Sequence, residues 1–379
     1  MPDTVEDHLA LALIPGLGPK LTAALLERFG SASAARTATA SQLRSIPHVG
    51  EKLAESFATA LRTVDVKAEL ERLAKHGVRP VPLGDPDYPP PLAAVVSPPP
   101  LLYFRGNWTE ADLGCIGIVG SRSCTAYGKK MTDQIARGLV RAGLTIVSGL
   151  ARGIDAVAHR STLDAGGRTL AILAGGLAEI YPPEHAELAD EIAGKGALIS
   201  ETPMTVAPQP GMFPARNRII SGLSRAVVVV EANARSGALI TARHALEQGR
   251  EVFAIPGNAD SPASAGCLEL IRAGARLVRS ADDVLEDLKG LTAPKSEKPQ
   301  SRPLPTLFEG TASPPPVPEP PANLEPTHQK VWDLLGSKRH GDELVRESGL
   351  AIGDLSRALM QMDLKRLIRR LPGNFYERR

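Results

Sequence analysis

The sequence is short of the residues that most often announce a chemistry. Its 379 residues hold three cysteines, Cys115, Cys124 and Cys267, without the spacing of a zinc site or a redox pair, as expected in a reducing compartment. Aromatic residues make up 4% of the chain and the formal net charge is +2. There is no global basic field, so any nucleic-acid contact must come from local clusters of Arg and Lys. No apolar run approaches bilayer length, and the start carries Asp3, Glu6 and Asp7 instead of a basic leader. Membrane insertion and secretion are therefore not expected, and a cytoplasmic protein is. Also missing are a Ser–His–Asp order, a zinc-ligand spacing and a G-x-x-x-x-G-K-[ST] loop. No cofactor, metal or catalytic residue is assigned.

Proline, by contrast, is abundant and unevenly placed. Of 33 prolines, ten fall between Gly290 and Asn323 among Ser, Lys and Glu, a composition unable to bury a core and expected to be an extended linker. A shorter Pro-rich stretch, Pro80 to Pro100, separates an N-terminal region from the centre. The resulting division is a helical domain over residues 1–62, a large α/β domain over 63–289, the linker 290–323 and a small domain over 324–379.

In the centre, apolar runs at Cys115–Gly120, Leu144–Gly149, Thr169–Gly175, Ala226–Ala232 and Glu251–Gly257 read as buried parallel strands. Helical spacing lies between them at Thr125–Arg141, Asp155–Ala165, His185–Lys195 and Gly237–Gln248. The alternation predicts a doubly wound, mostly parallel Rossmann-like sheet, with ligands outside the carboxyl ends of the strands.

Two segments of the N-terminal region resemble one another: Ile14-Pro-Gly-Leu-Gly-Pro-Lys20 and Ile46-Pro-His-Val-Gly-Glu-Lys52. Each is a Gly-containing turn before an apolar helix, the form of a helix-hairpin-helix, with backbone N–H groups free for a phosphate beside a lysine. A packing domain that kept the turn and lost the binding is the other reading, since His48-Val49 stands where a second glycine is expected.

The first central strand leads into Gly120-Ser121-Arg122-Ser123, where turn N–H groups, a helix start and a guanidinium converge on an anion site. A dinucleotide-binding protein would show G-x-G-x-x-G here and an acid at the end of the second strand. This chain has neither, and the second strand runs into Gly149-Leu-Ala-Arg152-Gly153. Arg122 and Arg152 are expected at neighbouring strand ends, spaced for successive phosphates; pairing with nearby carboxylates is the alternative. Asp155 and His159 share a helix face, and an N-cap role for Asp155 with His159 bonded inside the loop cluster is favoured over a catalytic pair. In Phe213-Pro-Ala-Arg-Asn-Arg-Ile-Ile-Ser-Gly222, an aromatic, Arg216, Asn217 and Arg218 suit a single strand, whose bases stack and whose phosphates pair. Only one of the two arginines can easily face the groove, and the other is expected to brace the loop through Glu201 or Glu231. Phe213 as an ordinary core residue stays open. Ser236 and Gly237 cap a later helix and turn N–H groups outward, with Thr241 on its first turns.

In order along the chain, "VGSRSCTAYG", "IVSGLARGIDAVAH", "AGGLAEIYPPEH", "FPARNRIISGLS", "EANARSGALITARHALEQGREVFAIPG" and "LIRAGA" resemble the DprA family, also called Smf, DNA-processing proteins of bacterial transformation. The resemblance covers roughly Pro80 to Leu288. It implies a homodimeric, non-catalytic binder of single-stranded DNA that protects incoming strands and loads the RecA recombinase, displacing or bypassing single-strand-binding protein. The family's phosphate loop falls on Gly120, Ser121 and Arg122, its second basic contact on Arg152, and its RNR segment on Arg216, Asn217 and Arg218. Ala178-Glu179 departs from the aspartate commonly found there.

From Leu324 onward, helical patterns at His328–Leu335, Asp342–Ser348 and Ile352–Arg366 precede a strand pair at Leu367–Leu371 and Phe375–Glu377, the order of a winged helix. Lys365, Arg366, Arg369, Arg370, Arg378 and Arg379 crowd its last third, which leaves duplex contact and protein interaction both open. Two other classes compete for the whole chain: a nucleotide phosphoribohydrolase-like enzyme on the same sheet, and a duplex-DNA regulator acting through the winged helix.

Overall fold

A computed structural model describes residues 3–289, 324–335, 339–365, 367–371 and 375–378; the expected linker, 290–323, lies outside the described residues. These form two compact units, one holding residues 3–289 and the other the residues from 324 on.

The first unit opens with helices α1 (Val5–Ala12), α2 (Pro19–Phe29), α3 (Ala32–Arg36), α4 (Ala40–Leu43), α5 (Glu51–Thr63) and α6 (Val66–His76). Thr4 starts α1 with a capping box to Asp7, satisfying the first orphan N–H groups. The two similar segments fold alike. Gly18 and Gly50 are the N-caps of α2 and α5 with nearly the same torsions, φ −73°, ψ 173° and φ −76°, ψ 172°. Two residues earlier, Gly16 has φ +82° and His48 φ +68°, so the histidine adopts the left-handed conformation that glycine adopts without strain. Leu11, Leu25, Leu43 and Phe57 form the core of this region. On the other side of α1, Leu9 and Ala10 join Val78, Tyr103 and Leu173 under the sheet. Glu69 of α6, 1% exposed, accepts from the Met204 N–H at 2.9 Å. The helical region is thus fastened to the sheet by α1, by Val66 and Leu73 of α6 in the same core, and by one buried carboxylate.

The sheet contains β1 (Val78–Pro82), β2 (Leu101–Gly106), β3 (Ile116–Val119), β4 (Ile146–Ser148), β5 (Thr169–Ile172), β6 (Ala197–Ser200), β7 (Ala226–Val229), β8 (Glu251–Ala254) and β9 (Arg276–Leu277). Their order is β1-β2-β6-β5-β4-β3-β7-β8-β9. All pairings from β6 to β9 are parallel, and the edge pairs β1·β2 and β2·β6 are antiparallel. The short helix α7 (Pro90–Ala93) precedes β2, and α8 (Ala126–Arg141), α9 (Ile154–Asp164), α10 (Ala186–Lys195), α11 (Met212–Leu223), α12 (Ala238–Glu247), α13 (Ala265–Arg272) and α14 (Ala281–Lys289) cover the faces. Central strands are apolar throughout because both faces are covered. In β7, Val227 and Val229 feed one core, while Ala226 and Val228 feed the other.

Three sequence expectations change here. β1, β2, β6 and β9 were not among the expected strands, and the stretch beginning at Pro80, expected as a separator, opens inside the sheet. β1 tolerates Pro80 and Pro82 because it is an edge strand with one side free of partners. The Phe213 segment is a helix and not a loop, since Pro214 is the third residue of α11, where a missing N–H costs nothing. Asp155 is not an N-cap: Gly153 holds that place, and Asp155, the second residue of the helix, accepts from the N–H groups of Gly149 at 3.2 Å and Ala151 at 3.4 Å.

The second unit has α15 (Pro326–Leu334), β10 (Arg339–His340), α16 (Gly341–Ser348), α17 (Ile352–Leu364), β11 (Ile368–Leu371) and β12 (Phe375–Arg378), with an antiparallel sheet ordered β10-β12-β11. This is a winged helix whose sheet gains one strand, β10, over the sequence expectation. Val331, Trp332, Leu344, Leu355, Met362 and Ile368 make its core.

Candidate nucleic-acid interface

Strand order reverses between β3 and β7. The connections after these neighbouring parallel strands leave in opposite directions, opening a crevice at their carboxyl ends. About 630 Å³ of it is open, lined by Gly120, Ser121, Arg122 and Ser123 after β3, by Phe213, Arg216 and Asn217 of α11, and by Asn233, Ser236, Gly237 and Thr241 after β7.

The loop after β3 is held from below. The Ile154 N–H donates to the Ser121 carbonyl at 3.1 Å, and the Ser121 hydroxyl accepts from the Ser123 N–H at 3.2 Å. Gly153, with φ +77°, lies so close to the Ser121 and Arg122 carbonyls that no Cβ would fit. Thr125 caps α8, and its own N–H donates to the Glu231 carboxylate at 2.9 Å. Glu231 is thereby committed to α8, while Glu201 pairs with Arg218. The loop is preorganised, and its N–H groups cost little further ordering when an anion arrives.

Arg122 is exposed and has no ion pair among the described residues; its guanidinium lies 4.9 Å from the centroid of the Phe213 ring. Phe213 meets Tyr181 with centroids 5.9 Å apart at an interplanar angle of 59°. Arg152 follows β4, next to β3, and pairs with Glu184 at 2.5 Å. Arg122, Arg152, Glu179, Tyr181 and Phe213 line a second, narrower cavity beside the crevice.

The two arginines of α11 have different places. Arg216, 5% exposed, donates from Nη1 to the Gly149 carbonyl at 2.7 Å and also to the Ile172 carbonyl. Burial pulls its pKa down to about 10, with Asp155 opposing, so it stays charged at neutral pH. Its Nε has no hydrogen-bond partner among the described residues. Asn217 donates to the Gly237 carbonyl at 3.2 Å, joining α11 to the cap of α12. Arg218 stands apart from the crevice: it donates to the Ser97 carbonyl at 3.0 Å and pairs with Glu201. Of the residues singled out in the sequence, Gly120, Ser121, Arg122, Phe213, Arg216, Asn217, Ser236 and Gly237 share the crevice, Arg152 borders it and Arg218 does not.

His159 is fully buried, and its Nδ1 bonds the Thr169 hydroxyl at 2.7 Å, at the start of β5 and not in the loop cluster. Among the described residues no group of three His, Cys, Asp or Glu is placed to hold a metal ion. Tyr181, Glu184 and Asn233 were missed. An exposed tyrosine within Tyr181-Pro-Pro-Glu184, one loop from a strand end, was the available signal.

In the second unit, several of the basic residues are engaged. Arg369 pairs with Glu377, and Arg378 donates from Nε to the Trp332 carbonyl at 3.0 Å with its guanidinium 4.8 Å from the indole centroid. Arg366 and Arg379 lie outside the described residues. Among the described residues no helix is long and apolar enough to cross a membrane.

A Rossmann-like sheet with a crevice lined by glycine loops and arginines, joined in one chain to paired hairpin turns and a winged helix, defines a DNA-processing protein. The chain belongs to the family described as DNA recombination-mediator protein A, whose profile matches residues 79–289. Profiles for a SAM-like helix-hairpin-helix tandem and a DprA winged helix domain match 9–63 and 314–374. Protein Smf of Synechocystis sp. is 38% identical over 98% of both chains. DNA processing protein DprA of Bacillus subtilis is 46% identical over 56% of this chain and 72% of its own. The X-ray structure of DNA processing protein A from Streptococcus pneumoniae superimposes with a TM-score of 0.67 at 34% identity, covering 76% of this chain and 99% of that one. A structure of DNA processing protein A from Helicobacter pylori, described for its single-stranded DNA binding mode, gives a TM-score of 0.50 at 29% identity, over 56% of this chain and 96% of that one.

Proposed function

We propose that this protein binds single-stranded DNA, without catalysis, along the crevice between the β3 and β7 loops and hands it to a RecA recombinase during natural transformation and recombination in the cytoplasm. The observation that carries this reading is Arg122: an exposed guanidinium, unpaired by carboxylate among the described residues, on the face of Phe213 in a crevice lined by the loops after β3 and β7. Phosphates find cation and N–H donors there, and a base finds a ring, which is the sequence-tolerant chemistry of single-strand binding. The Helicobacter pylori relative, described by its single-stranded DNA binding mode, supports the assignment. Gly120, Ser121, Arg122, Arg152, Phe213, Arg216, Asn217, Ser236 and Gly237 form the interface in this reading, and Arg218 braces α11 from behind. A homodimer through the Rossmann-like domain, displacement of single-strand-binding protein, and duplex contact by the helical or winged-helix domain belong to the same proposal.

The test is a salt-titrated gel shift with oligo-dT, on the whole chain and on a chain lacking residues 290–379. Single strands should be preferred over duplex, with little base preference and a steep loss of affinity with salt. Equal affinity for blunt duplex sinks the reading. RecA loading is read separately, as faster filament assembly on strands already coated with single-strand-binding protein.

A further inference from the structure

Arg122 and Arg152 end neighbouring strands, yet the molecule treats them differently. Arg122 rests on a ring, whereas Arg152 is already engaged with an anion, the Glu184 carboxylate at 2.5 Å. The engagement is built into the fold. Glu184 lies on a short 3₁₀ turn, Pro183–His185, and the next side chain, His185, bonds the Leu150 carbonyl at 2.8 Å through Nδ1. The turn that carries the acid is therefore tied to the loop that carries the arginine. A carboxylate presents a guanidinium with the same kind of charged acceptors as a phosphate. Both partners are about half exposed, 54% and 49% of their side-chain surface, so separating them strands no buried charge.

Resting on the single-strand reading above, we propose that Glu184 is a specificity-determining residue, an internal stand-in for a DNA phosphate that a strand displaces from Arg152 and a free anion does not. The reason is effective concentration. A strand anchored at Arg122 and the β3 loop delivers its next phosphate to Arg152 as an intramolecular event, on equal terms with the tethered carboxylate. Inorganic phosphate or a mononucleotide arrives from bulk solution and must outcompete a carboxylate that is always adjacent. Arg152 thus stays closed to single anions and opens to polyanions.

The experiment measures fluorescein-labelled oligo-dT binding by anisotropy, with full-length protein and at fixed ionic strength, alone and against rising inorganic phosphate. Glu184→Gln should bind the strand roughly two- to fivefold more tightly, the range of one exposed ion pair. The phosphate concentration that halves strand binding should fall by a similar factor. In an Arg152→Ala background, Glu184→Gln should change nothing. Glu187→Gln, which removes a neighbouring exposed carboxylate, should match the parent. Unchanged or weaker binding by Glu184→Gln overturns the proposal, as does equal tightening in the Arg152→Ala background or in Glu187→Gln, because either outcome is a general charge effect. If Arg152→Ala and Arg122→Ala both bind like the parent, the crevice reading itself falls.

Discussion

Arg216 lies directly over Gly149. Its Nη1 donates to the Gly149 carbonyl at 2.7 Å, and a Cβ on Gly149 would fall well inside the guanidinium. The contact joins α11 to the carboxyl end of β4, and through the Ile172 carbonyl to β5. Arg216 is thus a strut across the floor of the crevice as well as a charge within it.

Gly149→Ala should displace the guanidinium, costing about 1–3 kcal/mol of stability as an overpacked site does, and should weaken strand binding in parallel. Arg216→Lys keeps the charge and loses the planar guanidinium whose Nη1 serves both carbonyls. Thermal melts and oligo-dT binding on both variants check this: parent-like behaviour of Arg216→Lys would mean that the residue acts as a point charge alone.

Arg122→Ala should weaken binding to every base sequence and make the logarithmic salt dependence shallower by about 0.7, the share of one phosphate on a single strand. Its melting temperature should stay close to the parent's, because the side chain is exposed and unpaired by carboxylate among the described residues. Phe213→Leu keeps apolar bulk and removes the ring, and should cost about 1–3 kcal/mol of strand binding. Isothermal titration across salt separates the two, since only the arginine variant changes the slope.

His159 makes stability depend on pH. Burial pulls its pKa from 6.5 to about 3, with His185 and Arg216 adding to the effect. Between these values the unfolded chain binds a proton that the folded chain refuses. The contribution of the neutral ring is complete above pH 6.5 and declines as pH falls, by at most about 1.4 kcal/mol per pH unit. Burial raises the carboxyls of Asp155 and Glu201, against the pull of Arg216 and Arg218, and these work in the opposite direction. The difference between parent and His159→Gln isolates the histidine. In urea melts the variant should be less stable at pH 7.5, with the gap narrowing toward pH 5; a constant gap would mean that the ring does not titrate as described.

In the winged helix, Arg378 closes β12 onto α15 by the Trp332 carbonyl and indole face. Arg378→Ala should destabilise that unit by about 1–2 kcal/mol and leave the first unit unaffected. Unfolding followed by Trp332 fluorescence in a Trp108→Phe protein reads it directly.

The central parallel strands β3, β4, β5, β7 and β8 were legible in the sequence because burial on both faces makes each a continuous apolar run, as in Ala226–Val229. β1 and β2 were not, because prolines at an edge strand look like a linker until the partner is known. The loops that line the crevice were legible from Gly120-Ser121-Arg122 and Ser236-Gly237, where the signal is local. What separates Arg216 from Arg218 is two positions on a helix, which turn one side chain to the Gly149 carbonyl and the other to Glu201. No pattern in the letters fixes that rotation while the segment is read as a loop. Glu184 was invisible for a similar reason, since its meaning lies in a partner 32 residues away.

The paired turns of the N-terminal region carry a lesson about how repetition survives. At the position of Gly16, the second turn has His48, yet both stand in the left-handed region and both lead to a glycine cap of the same torsions. A comparison by residue identity would score the second copy as decayed. Measured in dihedral angles the two turns are the same, a repeat of backbone shape where the residues differ.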